Sequence, residues 1–130
     1  MSRSAIATSS APNAVGPYSQ AIVAGDFVFC SGQGAIDAAT NEMRHGTIEE
    51  ETRVTLKNIG GLLDAAGVGF ADVVKSTVFL VDMGDFAAMN AVYAEAFPDP
   101  PPARSTVAVA ALPKGFKVEI EVVAYKPRAG

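Results

Sequence analysis

Between Thr47 and Gly67 the side chains Ile48, Thr52, Leu56, Ile59, Leu63 and Ala66 recur three and four residues apart, a stripe that predicts an amphipathic helix. Thr47 and Glu50 form a capping-box pattern at its start, and Gly67 suits the C′ position at its end. Within it, Gly60-Gly61 disfavours helix by about 1 kcal/mol per glycine relative to alanine, so a close neighbour is expected there, with the sheet as the expected neighbour. A second helix is predicted from about Phe86 to Phe97, where Phe86, Met89, Tyr93 and Phe97 share a face. Asp85 is placed to cap its start and Pro98 to stop its end.

Segments with a period of two surround these helices. They are Phe27 to Ser31, Val74 to Val81, Ser105 to Ala110 and Val118 to Tyr125, with shorter candidates at Ala5 to Thr8 and Gln20 to Ala24. The last two long strands are expected to form a hairpin across Leu112-Pro113-Lys114-Gly115. This order of elements predicts one α+β domain over residues 1–130, with a mixed sheet of about six strands and both helices on one face. Val74, Val78 and Leu80 alternate with Phe79 and Val81, so burial on both faces of that strand is expected. Two helices cannot cover both faces, which predicts self-association through the sheet.

Composition narrows the chemistry. At 130 residues and 49% hydrophobic content the chain suits a single core. With 10 basic against 14 acidic residues there is no positive field to gather phosphates or anionic lipid, so neither nucleic acid nor membrane is an expected partner. One cysteine, Cys30, excludes an internal disulfide, and with the single histidine, His45, it cannot build the usual zinc site. No run approaches the roughly 18 apolar residues of a membrane span, and Met1-Ser2-Arg3-Ser4-Ala5 does not read as a leader, so a cytoplasmic protein is expected.

Few residues can then carry chemistry. His45 lies in a polar link and is read as solvated; Gly32-Gln33-Gly34 lacks the remainder of a phosphate loop. Cys30 ends an apolar strand and reads as a buried, unreactive thiol. Ser31-Gly32 fits either a bulge or a place where a ligand approaches the main chain. Arg104 follows a stiff proline run and suits a bidentate grip on a carboxylate, while Lys117, Glu119 and Glu121 alternate along one strand face, a pattern that an exposed polar face explains by itself.

The segment from Pro102-Ala103-Arg104-Ser105-Thr106-Val107 to Leu112, followed after a turn by Val118-Glu119-Ile120, resembles the C-terminal signature of the reactive intermediate deaminase family, the Rid or YjgF proteins. Gly16-Pro17-Tyr18-Ser19-Gln20, Cys30-Ser31-Gly32-Gln33, Asp64-Ala65-Ala66-Gly67, the run from Val74 to Leu80 and the run from Phe86 to Tyr93 extend the resemblance, in order, over nearly the whole chain. It implies a fold similar to trimeric chorismate mutase, a homotrimer with a barrel-like core and clefts between subunits. It implies hydrolysis of 2-imino or enamine acids, of the 2-aminoacrylate or 2-iminopropanoate type, to 2-keto acids and ammonia without cofactor or metal. By the same resemblance, Arg104 clamps the substrate carboxylate and Glu119 holds the attacking water. Backbone groups of Ser31, Gly32 and Thr106 orient the substrate, and Tyr18 and Asn90 line the cleft. Thr106 stands where many members have cysteine, and Gly34-Ala35 replaces bulkier residues, which predicts a wider cleft.

Three other readings stay open on the sequence. One is a regulatory trimer that binds small carboxylates without turnover, and one is a pathway-specific aminoacrylate or amide hydrolase on the same scaffold. The third, a nuclease, ranks last given the negative charge and the single loop histidine.

Overall fold

The computed structural model describes residues 3–127, so both ends of the expected 1–130 domain lie outside the described residues. Strands β1 (Arg3–Ile6), β2 (Ala21–Ala24) and β3 (Phe27–Gln33) precede helix α1 (Ile48–Ala65). Strand β4 (Val73–Leu80), helix α2 (Phe86–Ala96), β5 (Ala103–Ala108) and β6 (Val118–Tyr125) follow. Short 3₁₀ turns fill three of the connections, at Phe70–Asp72, Met83–Asp85 and Pro113–Gly115.

The α1 boundaries follow from its caps. Thr47 accepts a hydrogen bond from the Glu50 amide while the Glu50 carboxylate accepts from the Thr47 amide, and Gly67 takes φ 78° just past the end. Such an N-cap is worth about 1 kcal/mol. At α2 the expectation fails: Asp85 occupies the cap position but makes no capping bond, because the chain there is already wound into the preceding 3₁₀ turn, which Asp82 caps by accepting from the Gly84 amide.

The sheet has six strands in the order β1-β2-β3-β6-β4-β5, with β4 and β5 parallel and every other pair antiparallel. The expected hairpin between the last two strands does not form. Parallel neighbours need a crossover, and α2 supplies it, which places β5 at the edge beside β4. The turn at Pro113–Gly115, with Lys114 at φ 61° and Gly115 at φ 73°, then redirects the chain into the gap between β3 and β4. There β6 pairs on both sides, Val123 with Phe29 and Glu121 with Thr77.

One face of the sheet packs on the helices. Val28, Val78, Leu80, Val118, Ile120 and Ala124 from the sheet are wholly buried with Ile59 and Leu62 of α1 and Met89 of α2. Burying each of the larger side chains stabilises the fold by about 1.5–3 kcal/mol. The opposite face stays open in a single copy: Phe27, Phe29, Val107 and Tyr125 are 41–45% exposed, with the Phe27 ring 5.0 Å from that of Tyr125. β4 is therefore covered on one side only, with Ser76, Val78 and Leu80 buried and Val74 exposed. The close neighbour of the α1 glycines is not the sheet. A Cβ on Gly61 would lie 2.0 Å from the Ser10 carbonyl oxygen, and one on Gly60 3.1 Å from the Phe70 ring.

Candidate functional site

Arg104 lies on β5 opposite Ser76 of β4, on the helix-packed side of the sheet. Its guanidinium carbon sits 4.7 Å from the centre of the Tyr93 ring and 5.6 Å from that of Phe86, two residues one heptad apart on α2. Tyr93 is fixed in turn by a 2.5 Å hydrogen bond between its hydroxyl and Ser76 Oγ, and by stacking on Phe97 at 4.4 Å. Burial raises the Tyr93 phenol, while its bond to Ser76 and the nearby Arg104 charge act the other way. Arg104 forms no ion pair among the described residues, so its charge is held in place with no carboxylate bound to it. A cleft of about 520 Å³ opens beside it, lined by Asn90, Tyr93, Phe97, Asp99 and Pro102. Asn90 Oδ1 and Thr106 Oγ1 are buried without a hydrogen-bond partner. Buried polar atoms are rarely left so, and two on the same side of the sheet as Arg104 mark a place that a polar ligand would complete.

Glu119 lies on β6 opposite Phe79, on the open face. Its carboxylate rests over Gly32 of β3, where a Cβ would come within 2.3 Å of Oε2. Burial raises its carboxyl above the ordinary carboxylate range, and the negative charge of Glu121 adds to the effect. A smaller cleft of about 130 Å³ gathers Glu119, Gly32, Tyr18, Asn13, Lys114 and Phe116. Tyr18 is half-exposed at its rim, its hydroxyl accepting from the Val15 amide at 3.4 Å. Ser31 adjoins this group, but its main chain is engaged: its amide donates to Gln20 C=O at 3.0 Å and its carbonyl accepts from the Gln33 side chain at 3.2 Å. Its hydroxyl donates to Ser19 C=O at 2.6 Å. Gly34 does not widen the cleft, because the Phe116 ring fills its place, with Cδ2 at 2.8 Å from a built Cβ.

Since the atom nearest a Gly32 Cβ is the far end of a flexible side chain, Gly32→Ala is expected to fold normally and displace the Glu119 carboxylate. A misplacement of about 1 Å can cost on the order of 10²-fold in rate. Turnover falling while the melting temperature holds is the outcome to look for.

The seven residues singled out in the sequence thus separate into two groups on one chain. Arg104, Asn90 and Thr106 lie on the helix side of the edge strand, whereas Glu119, Gly32, Ser31 and Tyr18 gather about the central strands β6 and β3. β4 stands between β5 and β6, so Arg104 and Glu119 are two strand spacings apart across the sheet, about 10 Å, are offset along the strands, where Arg104 is level with Val122, and point to opposite faces. Sequence reasoning missed the support of the first group. The spacing places Phe86 and Tyr93 on one face of α2, and a phenylalanine and a tyrosine seven residues apart also make two rungs of a cation platform. Among the described residues no three His, Cys, Asp or Glu side chains gather to hold a metal. His45 stacks on Phe116 at 5.0 Å, and burial pushes the Cys30 thiol up to about 12. No helix of the described residues is long and apolar enough to cross a membrane.

A family model described as Endoribonuclease L-PSP matches residues 8–126. A RutC family protein of Pyrococcus horikoshii is 53% identical over 121 residues, which cover 93% of this chain and 96% of that one. A protein of Capra hircus named 2-iminobutanoate/2-iminopropanoate deaminase is 48% identical over 122 residues, 94% of this chain and 89% of its own. The crystal structure of RidA from an Antarctic Psychrobacter superposes with a TM-score of 0.91 at 45% identity, covering 95% of this chain and 99% of that one. The matched residues, the sequence identities and the superposition agree, and this chain belongs to the endoribonuclease L-PSP family, that of the Rid, YjgF and RutC proteins.

Proposed function

We propose that this protein hydrolyses 2-imino acids and their enamine tautomers to 2-keto acids and ammonia, in a cleft completed by two copies of the chain in a homotrimer. The observation that carries the reading is the division of the site into an unpaired cation platform and a desolvated carboxylate, on opposite faces of one sheet. Neither half suffices alone. The exposed Phe27, Phe29, Val107 and Tyr125 give the open face an apolar surface suited to a second copy. The deaminase name carried by the Capra hircus relative supports the same chemistry.

In this reading Arg104 holds the substrate carboxylate, and Asn90 and Thr106 supply the polar contacts that their buried oxygens lack within one copy. Glu119 of the adjoining copy takes a proton from water as the water oxygen bonds to the iminium carbon. The proton passes to nitrogen in the tetrahedral adduct. The C–N bond then breaks as the hydroxyl oxygen releases its proton, giving the 2-keto acid and ammonium. The iminium is already electrophilic, so orientation and one proton carrier are sufficient, and no cofactor is required. The acidic balance of the chain, with a net charge of −4, disfavours RNA as the substrate despite the family description.

The test generates 2-iminopropanoate in situ with an amino acid oxidase and follows its loss against Arg104→Ala. Removing a charge-assisted bond of about 1.5–3 kcal/mol should lower kcat/KM by roughly 10- to 150-fold. If wild type proves no faster than Arg104→Ala while pyruvate still raises the melting temperature, the protein is a carboxylate binder and not this enzyme.

A further inference from the structure

Lys117 precedes Glu119 by two residues, so strand alternation offers its ammonium to the Glu119 carboxyl. The structure sends it elsewhere. Lys117 Nζ lies 3.4 Å from Glu51 Oε2, in the first turn of α1. The Glu51 side chain has no exposed surface, and both its oxygens are engaged: Oε1 accepts from the Lys117 amide at 2.8 Å and Oε2 from the Gly46 amide at 3.3 Å. A fully buried carboxylate depends on its counter-charge more strongly than a half-exposed one, so in a contest for one ammonium Glu51 wins.

Glu119 forms no ion pair among the described residues. The charged or titratable groups around it are Glu121 on its own strand and Tyr18 and Lys114 in the cleft; Lys75 of β4 is bonded to Ser105 Oγ at 3.0 Å, and β3 presents Gly32. We propose that Glu51 is a positioning residue for this site, holding the Lys117 ammonium and amide at the start of β6 so that Glu119 stays unpaired over Gly32. This rests on the reading of Glu119 as the proton carrier. A carboxylate locked to a lysine is a poor base, whereas an unpaired, desolvated one can accept the proton of water and return it.

The test is a ¹³C NMR titration of the glutamate carboxyls in the full-length protein, with the Glu119 resonance identified by its loss in Glu119→Gln. Glu51→Gln keeps an acceptor for the Lys117 amide but releases the ammonium, and should lower the Glu119 midpoint by about one pH unit. Lys117→Met should leave that midpoint unchanged, and the double variant should restore the wild-type value. In the imine assay the acid limb of kcat should follow the same shift with KM unchanged. An unmoved midpoint in Glu51→Gln would overturn the proposal, as would a raised one in Lys117→Met, since the lysine would then already serve Glu119. The Lys117→Met arm decides alone if Glu51→Gln does not fold. Absence of imine turnover leaves the titration intact, so the two readings fail separately.

Discussion

Glu119→Gln is expected to lower kcat for imine hydrolysis by about 10²–10⁴-fold, the usual range for loss of a general acid–base group, with Glu121→Gln remaining within about threefold of wild type. The two glutamates share a strand face, but only Glu119 is packed over Gly32 and shifted upward by burial; Glu121 is exposed. Glutamine keeps the shape and removes the proton chemistry. Activity of the wild type should fall on the acid side as Glu119 is protonated, and that limb should lie above the ordinary carboxylate range. Stability should move the opposite way. A carboxyl whose proton affinity is higher folded than unfolded favours the fold below its unfolded pKa, and that contribution is lost as pH rises through the folded value. At pH 7 the ionised Glu119 therefore opposes folding, and Glu119→Gln should melt slightly higher than wild type there, with the difference vanishing in acid. A variant that loses turnover and gains stability could not be dismissed as misfolded.

Gly61→Ala should have the larger effect on stability. The added Cβ would lie 2.0 Å from the Ser10 carbonyl oxygen and 3.0 Å from Ser10 Cβ, so relief requires backbone movement. The segment cannot simply retreat, because the Gln20 amide nitrogen donates to the carbonyls of Thr8, Ala11 and Pro12 at 3.0, 3.2 and 2.7 Å, while its oxygen accepts from the Thr8 amide at 2.8 Å. Alanine's better helix propensity returns about 1 kcal/mol, against an overpacking cost of about 1–3 kcal/mol or more where neighbours are fixed. With backbone as the obstacle the cost prevails, and a fall in melting temperature of roughly 5–15 °C is expected, with the urea m-value unchanged. Gly60→Ala meets only the edge of the Phe70 ring at 3.1 Å, which can turn aside, and should be nearly neutral.

The helices and strands were legible because their signals are local. Thr47, Glu50 and Gly67 mark the ends of α1 by chemistry that acts within one turn, and the alternation of Val118 to Tyr125 needs only its own strand. Strand order was not, since nothing in Ser105–Ala110 reports that the partner of Val107 is Phe79 and not a residue eleven positions on. Asp85 misled for a related reason: capping depends on the φ/ψ of the preceding turn, which residue type does not specify. Arg104 and Glu119 gained meaning from the family signature alone. Their lateral separation follows from inserting β6 between β3 and β4, a long-range event with no trace in either residue's neighbours. Glu51 was hidden for a similar reason, as one acid among three in a helical first turn.

Strand β6 follows the other five strands of the described chain, yet it occupies the middle of the sheet and, among the described residues, alone joins the β1–β3 meander to the β4–β5 pair. At a synthesis rate of about 5–20 residues per second, both flanks wait for seconds with their inner edges bare. The nascent chain therefore carries two unmatched sheet margins until Val118–Tyr125 emerges and closes them together. Because Glu119 travels on that closing strand, a chain interrupted before Val118–Tyr125 lacks both the closed sheet and this carboxylate.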